Sequence, residues 1–405
     1  MTQLTIVIAG GGAAGFFAAL STAHHFPQHR VIILEKTRQP LAKVRISGGG
    51  RCNVTHACFD PAHLVKFYPR GHQALRGPFT RFQPLNTIEW FEQRGVRLKT
   101  EEDGRMFPVT DDSQTIIDCF LNEAKKLHID LQLERGIQSI ERQNEQFIIR
   151  LSGEETLLCD RLLLATGSAP KTFTWLSSLG HTIVPLVPSL FTFNLPTSPL
   201  LDLAGISVSN VHVKLPAFEL EQTGPLLLTH WGLSGPAVLK LSAWGARELH
   251  QVDYQTQVVV NWIPEWSEGD VKQQLLQVKR EAGGRQVSTE ALFELPKQLW
   301  RRLVMLAQIE SEQKWASLTQ GQLHQLMMQL RMTSLDIQGK TTYKQEFVTC
   351  GGVSLDEVNF RTMESRRCPG LYLAGEILNI DGVTGGFNFQ NAWTTGWLAG
   401  QAIGY

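Results

Sequence analysis

The hydrophobic pattern of the first 35 residues predicts a strand, a helix and a second strand. Residues 5–9 and 31–35 are short apolar runs rich in β-branched side chains, which is typical of buried strands. Between them, an alanine-rich stretch at residues 13–25 follows a glycine turn and predicts a helix. This order, within about 30 residues, is that of a βαβ unit with two parallel strands and a right-handed crossover.

The rest of the chain alternates between strand and helix patterns. Residues 38–53 contain a proline and three successive glycines, so we predict a loop there. The other predicted elements are, in chain order, helices at 86–94 and 113–128, short strands within 129–158, a buried strand at 161–165, alternating strands at 207–215 and 255–263, helices within 271–331, a buried strand at 370–375 and a last helix at 389–403.

The pattern of predicted elements changes near residue 188, and the pattern of strands and glycine turns returns after residue 341. We therefore predict an α/β protein in which one domain is built from both ends of the chain. The predicted domains are a discontinuous α/β domain at 1–188 and 345–405, a β-rich insertion at 189–264 and 332–344, and a helical insertion at 265–331.

Charge and composition narrow the possible partners. The 405-residue chain has 38 Lys+Arg and 38 Asp+Glu, so its formal net charge is +0. Binding to nucleic acid or to an anionic membrane requires clustered basic residues. We therefore expect a small-molecule substrate, with neither a nucleic acid nor a membrane as partner; the oligomeric state stays open. No apolar run reaches the roughly 18 residues of a membrane-spanning helix.

The six cysteines show neither a disulfide-dense spacing nor the C-x-x-C or Cys/His spacing of a metal site. Free thiols are typical of a reducing compartment. The sequence therefore predicts a cytoplasmic protein without a metal centre.

A glycine pattern follows the first predicted strand and predicts a dinucleotide site. Gly10, Gly12, Ala13, Ala14 and Gly15 belong to a G-x-G-x-x-G motif. Gly10 permits a tight turn, Gly12 lets the backbone approach a diphosphate, and Gly15 lets the helix pack on the strand. The helix N-terminus presents N–H groups to the anion.

An acidic residue stands at the end of the second predicted strand. Glu35, followed by Lys36, lies 20 residues past Gly15, where a carboxylate can accept hydrogen bonds from an adenosine ribose. Strand, glycine turn, helix and acidic strand end together favour dinucleotide binding over an ordinary glycine turn.

Two later strand ends distinguish FAD from NAD. One strand ends at Thr166-Gly167, after several short strands, and another ends at Gly375-Glu376 near the C-terminus. Late strands that end beside the N-terminal nucleotide fold resemble those of the glutathione-reductase-like FAD superfamily. In that superfamily the cofactor is extended. A carboxylate at Glu376 can hold ribityl hydroxyls.

The segment after Glu376 opens the last helix. Asp381 is followed by Gly386, Phe387, Asn388 and Phe389. A helix N-terminus directed at the flavin would stabilise the negative charge that reduction places there.

Several motifs carry a closer resemblance. Lys43 is followed by Ser47 to Asn53 (SGGGRCN), and GRMFP, THWGLSGP, TMES and GEILNIDGVTGGFNFQNA occur later in the same order. In these blocks the chain resembles the BaiN-like, aminoacetone-oxidase-type FAD-binding flavoproteins along nearly its whole length. The resemblance implies a Rossmann-like FAD-binding domain of the glutathione-reductase type, interrupted by a β-barrel-like insertion and a helical insertion.

The resemblance also implies that the loop of residues 47–53 lies along non-covalently bound FAD. It places Arg51, Cys52 and Asn53 toward the flavin, while Ile137 meets adenine through its backbone. The three glycines of the loop expose backbone N–H groups, and Lys43 and Arg51 offset phosphate charge. The cofactor-binding residues predicted in the second half of the βαβ region and in this loop are Glu35, Lys36, Lys43, Ser47, Gly50, Arg51, Cys52 and Asn53.

Three reactions remain open from the sequence. No second G-x-G-x-x-G follows Gly167 and no cysteine pair suits dithiol exchange. We prefer a reductase in which NAD(P)H binds transiently and reduces the flavin. The reduced flavin then reduces an activated C=C bond of an enone-like substrate. The alternatives are an amine oxidase that yields hydrogen peroxide and a scaffold that FAD only stabilises.

The catalytic residues are weakly constrained by the sequence. His230 is a candidate proton donor because a histidine titrates near neutral pH. Cys52 and Arg105 are further candidates, the first beside the flavin and the second for an anionic group. Each residue also has a purely structural interpretation. His230 could be hydrogen-bonded within the insertion, the Cys52 thiol could pack in the core, and Arg105 could cap a turn.

Overall fold

The computed structural model describes residues 3–341 and 348–405. The chain divides into two compact units, one of residues 1–188 and 344–405 and the other of residues 189–343. The predicted domain boundary between residues 344 and 345 lies outside the described residues.

Strands are distributed along the whole chain. They are β1 (Thr5–Ala9), β2 (Arg30–Leu34), β3 (Thr55–His56), β4 (Leu98–Thr100), β5 (Arg105–Pro108), β6 (Asp130–Gln132), β7 (Ile137–Gln143), β8 (Gln146–Leu151), β9 (Thr156–Cys159), β10 (Arg161–Leu164), β11 (Ile183–Ser189), β12 (Thr192–Asn194), β13 (Ser207–Leu215), β14 (Leu220–Thr229), β15 (Gly232–Ser234), β16 (Gln255–Asn261), β17 (Thr333–Gln338), β18 (Lys340–Thr341), β19 (Val348–Val353), β20 (Val358–Asn359), β21 (Glu364–Ser365) and β22 (Leu371–Leu373).

Helices separate these strands in both units. They are α1 (Ala13–His25), α2 (Ala42–Ile46), α3 (Pro61–Leu64), α4 (His72–Arg81), α5 (Pro84–Glu92), α6 (Ser113–Lys126), α7 (Pro170–Ser178), α8 (Pro236–Trp244), α9 (Ala246–Gln251), α10 (Glu268–Glu281), α11 (Lys297–Leu306), α12 (Gln320–Arg331) and α13 (Phe387–Ala402). None of the helices in the described part of the chain combines the length and the apolar character that a membrane crossing requires.

The first unit is organised by a seven-stranded sheet in the order β20-β21-β22-β10-β1-β2-β6. Its centre is parallel, and Ala9 pairs with both Leu34 and Leu164, while Leu164 pairs with Leu373. The carboxyl ends of four strands therefore lie side by side. In open parallel sheets, ligands bind outside this edge.

Helices α1 and α13 pack together through small residues. A Cβ on Gly396 would lie 2.6 Å from the Ala14 carbonyl oxygen, and one on Gly400 would lie 2.6 Å from that of Ala18. Because neither position has room for a side chain, the two backbones approach closely. The last helix thereby completes the layer formed by the first.

Three smaller sheets accompany the main one in the first unit. Strands β3, β5 and β4 form an antiparallel sheet, β7, β8 and β9 form a meander, and β11 pairs with β19. The first carries the segment that follows the glycine-rich loop, and the second begins beside β2.

The second unit is built on an antiparallel sheet in the order β17-β16-β13-β14-β15-β12-β18. Side chains from the sheet, such as Val213 and Val260, share one core with Leu303 of α11 and Leu326 of α12. The sheet and the helices therefore bury each other's apolar faces. Their separation into a β-rich and a helical insertion stays a prediction.

One predicted element differs from the structure. Residues 38–53, predicted as a loop, contain the single-turn helix α2 and a 3₁₀ turn at Ser47–Gly50. Leu41 begins α2 in a left-handed conformation with φ 59°, and its N–H donates to the Gly11 carbonyl at 2.8 Å. A helix this short has no periodic hydrophobic signal, and a tertiary contact positions it.

Candidate functional site

The turn between β1 and α1 (residues 10–15, the diphosphate turn) contains glycines with different roles. A Cβ on Gly10 would lie 2.5 Å from the Ala165 carbonyl oxygen, and one on Gly15 would lie 1.9 Å from that of Gly10. These two glycines are required by packing. Around Gly12, by contrast, no atom lies within 4 Å of an added Cβ. Gly12 precedes Ala13 and Ala14 in the first turn of α1, where the backbone N–H groups have no preceding carbonyl.

Glu35 follows β2 and connects that strand end to the diphosphate turn. Its Oε2 accepts a hydrogen bond from the Gly11 N–H at 2.9 Å, and its Oε1 accepts from the Thr37 N–H and hydroxyl at 2.9 and 2.8 Å. A carboxylate has about four lone-pair sites, so one acceptor position remains. Lys36, the next residue, is exposed.

The start of the β7–β9 meander lies alongside this carboxylate. The Arg135 N–H donates to the Glu35 carbonyl at 2.9 Å, and a Cβ on Gly136 would lie 3.9 Å from Lys36 Cβ. Ile137, which begins β7, is thereby brought next to the end of β2. The chain thus offers a backbone edge beside the carboxylate, as an adenosine site requires.

Residues 47–53 (the glycine loop) expose backbone through three left-handed glycines. Gly48, Gly49 and Gly50 have φ angles of 59°, 68° and 87°. A Cβ on Gly48 would lie 2.9 Å from the Phe107 ring, whereas nothing lies within 4 Å of one on Gly49 or Gly50. Ser47 closes the loop because its carbonyl accepts from the Cys52 N–H at 2.9 Å.

The late strand ends meet the diphosphate turn. Gly375 has φ 77°, and a Cβ there would lie 2.9 Å from that of Ala14. Glu376, in the 3₁₀ turn Gly375–Ile377 (the carboxylate turn), places Oε2 2.5 Å from the Lys43 ammonium. An added Cβ on Gly167, which follows Thr166, would lie 3.3 Å from the same oxygen. Residues predicted from four distant segments therefore converge.

The N-terminus of α13 is joined to the glycine loop. Gly386 has φ 91°, and a Cβ there would lie 2.6 Å from the Thr55 carbonyl oxygen. The Asn53 amide, oriented to satisfy both neighbours, donates to Thr55 O and accepts from the Gly386 N–H, each at 3.0 Å. Asn388 makes two hydrogen bonds of 2.8 Å with the backbone of Gly382. These contacts fix the helix start beside the loop.

Aromatic rings surround the beginning of α13. Phe387 is buried and stacks on Phe67 at 4.4 Å and on His56 at 4.7 Å, and Phe389 stacks on Trp393 at 5.4 Å. His56 was not predicted as a site residue. The signal that could have found it is its position three residues after Asn53, in the strand that leaves the glycine loop.

Asp381 has a different environment from the other predicted ligands. Its carboxylate is 0% exposed and accepts from Arg70 Nε at 2.6 Å. The two residues also form an isolated antiparallel bridge. The carboxylate therefore joins the segment after α3 to the segment before α13, and its contact with the cofactor stays a prediction.

Cys52 is a buried thiol in a left-handed conformation. It is 0% exposed with φ 62°. Burial raises the pKa of its thiol to about 12, although a hydrogen bond with Ser47 acts in the opposite direction. Because a thiolate is the reactive form, this environment favours packing over nucleophilic chemistry.

The two predicted arginines share one carboxylate. Arg51 Nη1 lies 2.6 Å from Glu101 Oε1, and Arg105 Nη2 lies 2.9 Å from Glu101 Oε2. The Arg51 guanidinium also lies 4.0 Å from the centre of the Phe107 ring. Glu101, which was not predicted, therefore orients both arginines next to the glycine loop. No local sequence signal connects it to Arg51, 50 positions away.

His230 belongs to the second unit. It is exposed in the two-residue turn between β14 and β15, where Thr229 pairs with Gly232. The predicted cofactor residues belong to the first unit, and the catalytic role of His230 stays a prediction.

A second polar group in the first unit contains Ser365, His181 and Glu357 (the closed cluster). His181 Nε2 lies 2.9 Å from Ser365 Oγ, and His181 Nδ1 lies 3.1 Å from Glu357 Oε2. The residues are 4–5% exposed. Burial lowers the pKa of His181, against the effect of the neighbouring Glu357 carboxylate.

The order serine, histidine, carboxylate is also that of a hydrolytic triad. Here, however, Ser365 Oγ already accepts the N–H groups of Arg367 at 3.0 Å and Cys368 at 2.8 Å. A buried serine oxygen that two amides occupy cannot reach a substrate. The closed cluster therefore stabilises the edge of the main sheet.

Comparison with known proteins gives the chain a family. The family model described as "HI0933-like protein Rossmann domain" matches residues 4–402. The chain belongs to this HI0933-like family. The resemblance that the sequence motifs carried is thereby confirmed, as is the prediction of a flavoprotein oxidoreductase with a Rossmann-type FAD-binding fold.

Two relatives of the HI0933-like chain span its full length. It is 29% identical over 416 residues to the "Ribosomal RNA dihydrouridine synthase" of Escherichia coli (strain K12), with 100% of this chain and 98% of the relative covered. It is also 29% identical over 408 residues to the "3-dehydro-bile acid delta(4,6)-reductase" of Clostridium scindens, with 98% of each covered.

A solved structure shows the same fold. The 3-ketosteroid-delta4-(5alpha)-dehydrogenase from Rhodococcus jostii RHA1, in complex with 4-androstene-3,17-dione, superposes with a TM-score of 0.52 at 13% identity. The alignment covers 100% of this chain and 97% of that one.

The residues of this HI0933-like protein fit FAD. Open space adjoins Gly12 at a helix N-terminus, and further open space adjoins Gly49 and Gly50. Glu35 and Glu376 provide carboxylates at the two strand ends where the hydroxyl-bearing parts of an extended dinucleotide would lie. The chemistry of this donor set, amides for phosphate and carboxylates for hydroxyls, is that of a dinucleotide site.

Proposed function

We propose that this HI0933-like protein reduces a carbon–carbon double bond conjugated to a carbonyl group, with non-covalent FAD and with NAD(P)H as electron donor. One observation carries the proposal: two full-length relatives are named for reactions on this kind of bond. A 3-dehydro delta(4,6) bile acid has its double bonds in conjugation with a ketone. Dihydrouridine is uridine in which the bond conjugated to a ring carbonyl is saturated.

When bound, FAD supplies hydride transfer from the nicotinamide donor to the electron-poor carbon. The N–H groups of Ala13 and Ala14 in the diphosphate turn would hold the phosphates, and Glu35 would accept from the adenosine ribose. Gly49 and Gly50 leave the backbone accessible along the cofactor. The N-terminus of α13, positioned by Asn53, stabilises negative charge that arises next to it.

The substrate that we propose is a small enone-like molecule. The absence of net charge supports it, because a broad nucleic-acid surface requires an excess of basic residues. A cytoplasmic location is supported by the cysteines of the described residues, which are buried and form no disulfide, as is typical of a reducing compartment.

A second candidate substrate is a uracil base in RNA. The name of the Escherichia coli relative favours it, and the bond that would be reduced is of the same chemical kind. In either case hydride adds to one carbon and a proton to the other, so the reaction differs in recognition and not in bond chemistry.

Anaerobic stopped-flow reduction tests the proposal. The purified yellow protein is mixed with NADPH or NADH, and fast loss of flavin absorbance is expected with at least one of them. The reduced protein is then mixed with a steroidal enone or with unmodified ribosomal RNA, and reoxidation by one of these identifies the substrate class.

Three results would contradict the proposal. Absence of reduction by both nicotinamides would exclude the donor, and absence of reoxidation by any conjugated substrate would exclude the reaction. Peroxide release with a small amine and oxygen would support the amine oxidase instead. A Gly12→Val variant without FAD provides the control for cofactor-independent signals.

A further inference from the structure

Thr349, in β19, has a buried hydroxyl without a partner. The residue is 2% exposed, and within residues 3–341 and 348–405 its Oγ1 has no hydrogen bond. Buried threonines of this unit whose hydroxyls do make hydrogen bonds include Thr22, Thr55, Thr87, Thr394 and Thr395. Since an unsatisfied buried hydroxyl is costly, Thr349 requires an explanation.

The hydroxyl belongs to a residue that contacts the carboxylate turn. The Thr349 N–H donates to Glu376 Oε1 at 3.1 Å, while Oε2 of the same carboxylate lies 2.5 Å from Lys43. Thr349 thus lies one hydrogen bond from the carboxylate that the sequence assigned to ribityl hydroxyls.

The backbone of β19 beyond Thr349 is closely packed. A Cβ on Gly351 would lie 2.4 Å from the Pro185 carbonyl oxygen, and one on Gly352 would lie 2.5 Å from that of Ile377. β19 is therefore held closely between β11 and the carboxylate turn.

We propose that Thr349 is a ligand for the ribityl chain of FAD and that it acts with Glu376 as a two-residue polyol site. This inference rests on FAD being the cofactor of the proposed function. A ribityl hydroxyl both donates and accepts, so one such group satisfies the Thr349 hydroxyl while a neighbouring one donates to the carboxylate. The Lys43 ammonium lies 2.5 Å from Oε2 of that carboxylate and offsets its charge.

Titration of the apoprotein with FAD, followed by flavin fluorescence, tests this site. Thr349→Val removes the hydroxyl at nearly constant shape and is expected to raise the Kd for FAD about tenfold. Thr349→Ser keeps the hydroxyl and is expected to bind within about twofold of the wild type. ADP lacks the ribityl chain, so its affinity is expected to be unchanged in both variants.

The control measurement is the thermal stability of the apoprotein. A merely structural role predicts that Thr349→Val melts lower and loses FAD and ADP affinity together, which would overturn the proposal. Unchanged FAD affinity in Thr349→Val would also overturn it. The reductase proposal fails separately, when wild-type protein binds FAD but NAD(P)H does not reduce it.

Discussion

Two groups of polar side chains in the first unit differ in whether other groups of the protein form hydrogen bonds with all of their members. In the closed cluster, Ser365, His181 and Glu357 use their polar atoms on each other and on neighbouring groups. At the carboxylate turn, Thr349 keeps an unbonded hydroxyl next to Glu376. Each group combines a hydroxyl with a glutamate carboxylate, and Thr349 is as deeply buried as the residues of the closed cluster.

A structural polar group and a binding one can be distinguished by the hydrogen bonds that their atoms make. A triad-like order of side chains is not sufficient, because the closed cluster has that order although its serine oxygen already accepts two backbone N–H groups. An unsatisfied donor or acceptor at the carboxyl edge of a parallel sheet is more informative, since a ligand of matching chemistry can bind there.

A substitution in the diphosphate turn is expected to remove FAD binding altogether. Gly12→Val has room for its side chain and an ordinary φ of −95°, so the protein is expected to fold but to purify without flavin absorbance. Gly15→Val places a Cβ at 1.9 Å from a carbonyl oxygen and is expected to abolish folding. Absorbance and circular dichroism distinguish the two variants. A Gly12→Val protein with stoichiometric FAD would contradict the assignment.

An intermediate effect is expected in the closed cluster. Glu357→Gln removes a buried charge that accepts from His181 and Thr182, so the free energy of unfolding should fall by roughly 2–4 kcal/mol. Urea denaturation of the apoprotein measures this change. FAD affinity is expected to stay at the wild-type value, and a selective loss of FAD binding would show that the cluster is not purely structural.

A smaller effect is expected for Glu35, whose carboxylate has partners within the chain and is also predicted to bind a ribose. Its oxygens bind Gly11 and Thr37 within the chain, and one acceptor position remains for a ribose. Glu35→Ala is expected to raise the Kd for FAD about tenfold and to leave the fold intact. Titration of the refolded apoprotein provides the measurement, with Gln39→Ala, an exposed residue close to Glu35 that is not a predicted ligand, as the control. Equal affinity in the two variants would exclude the ribose contact.

Local patterns in the sequence were sufficient for the first βαβ unit. The predicted helix at residues 13–25 agrees with α1, and the predicted strand at 5–9 agrees with β1. Both elements are specified by short-range hydrophobic spacing and by glycine, so one segment contains all the required information. The family resemblance added the order of the later motifs.

Long-range partners could not be predicted in this way. Ser365 and His181 are 184 positions apart, and Glu101 orients Arg51 across 50 positions. The burial of Cys52 and of Asp381 likewise depends on segments that pack over them, which no local pattern describes. The unbonded hydroxyl of Thr349 is visible only when every neighbouring donor and acceptor is known.

The close packing of α1 against α13 has a consequence for biosynthesis. The Ser21 hydroxyl donates to the Trp397 carbonyl, 376 positions later in the chain. Domains generally fold as units while the ribosome releases the N-terminal part first. The second unit is continuous and can form before the last helix emerges, whereas the nucleotide fold has to wait for nearly the whole chain. FAD binding therefore has to follow the synthesis of α13.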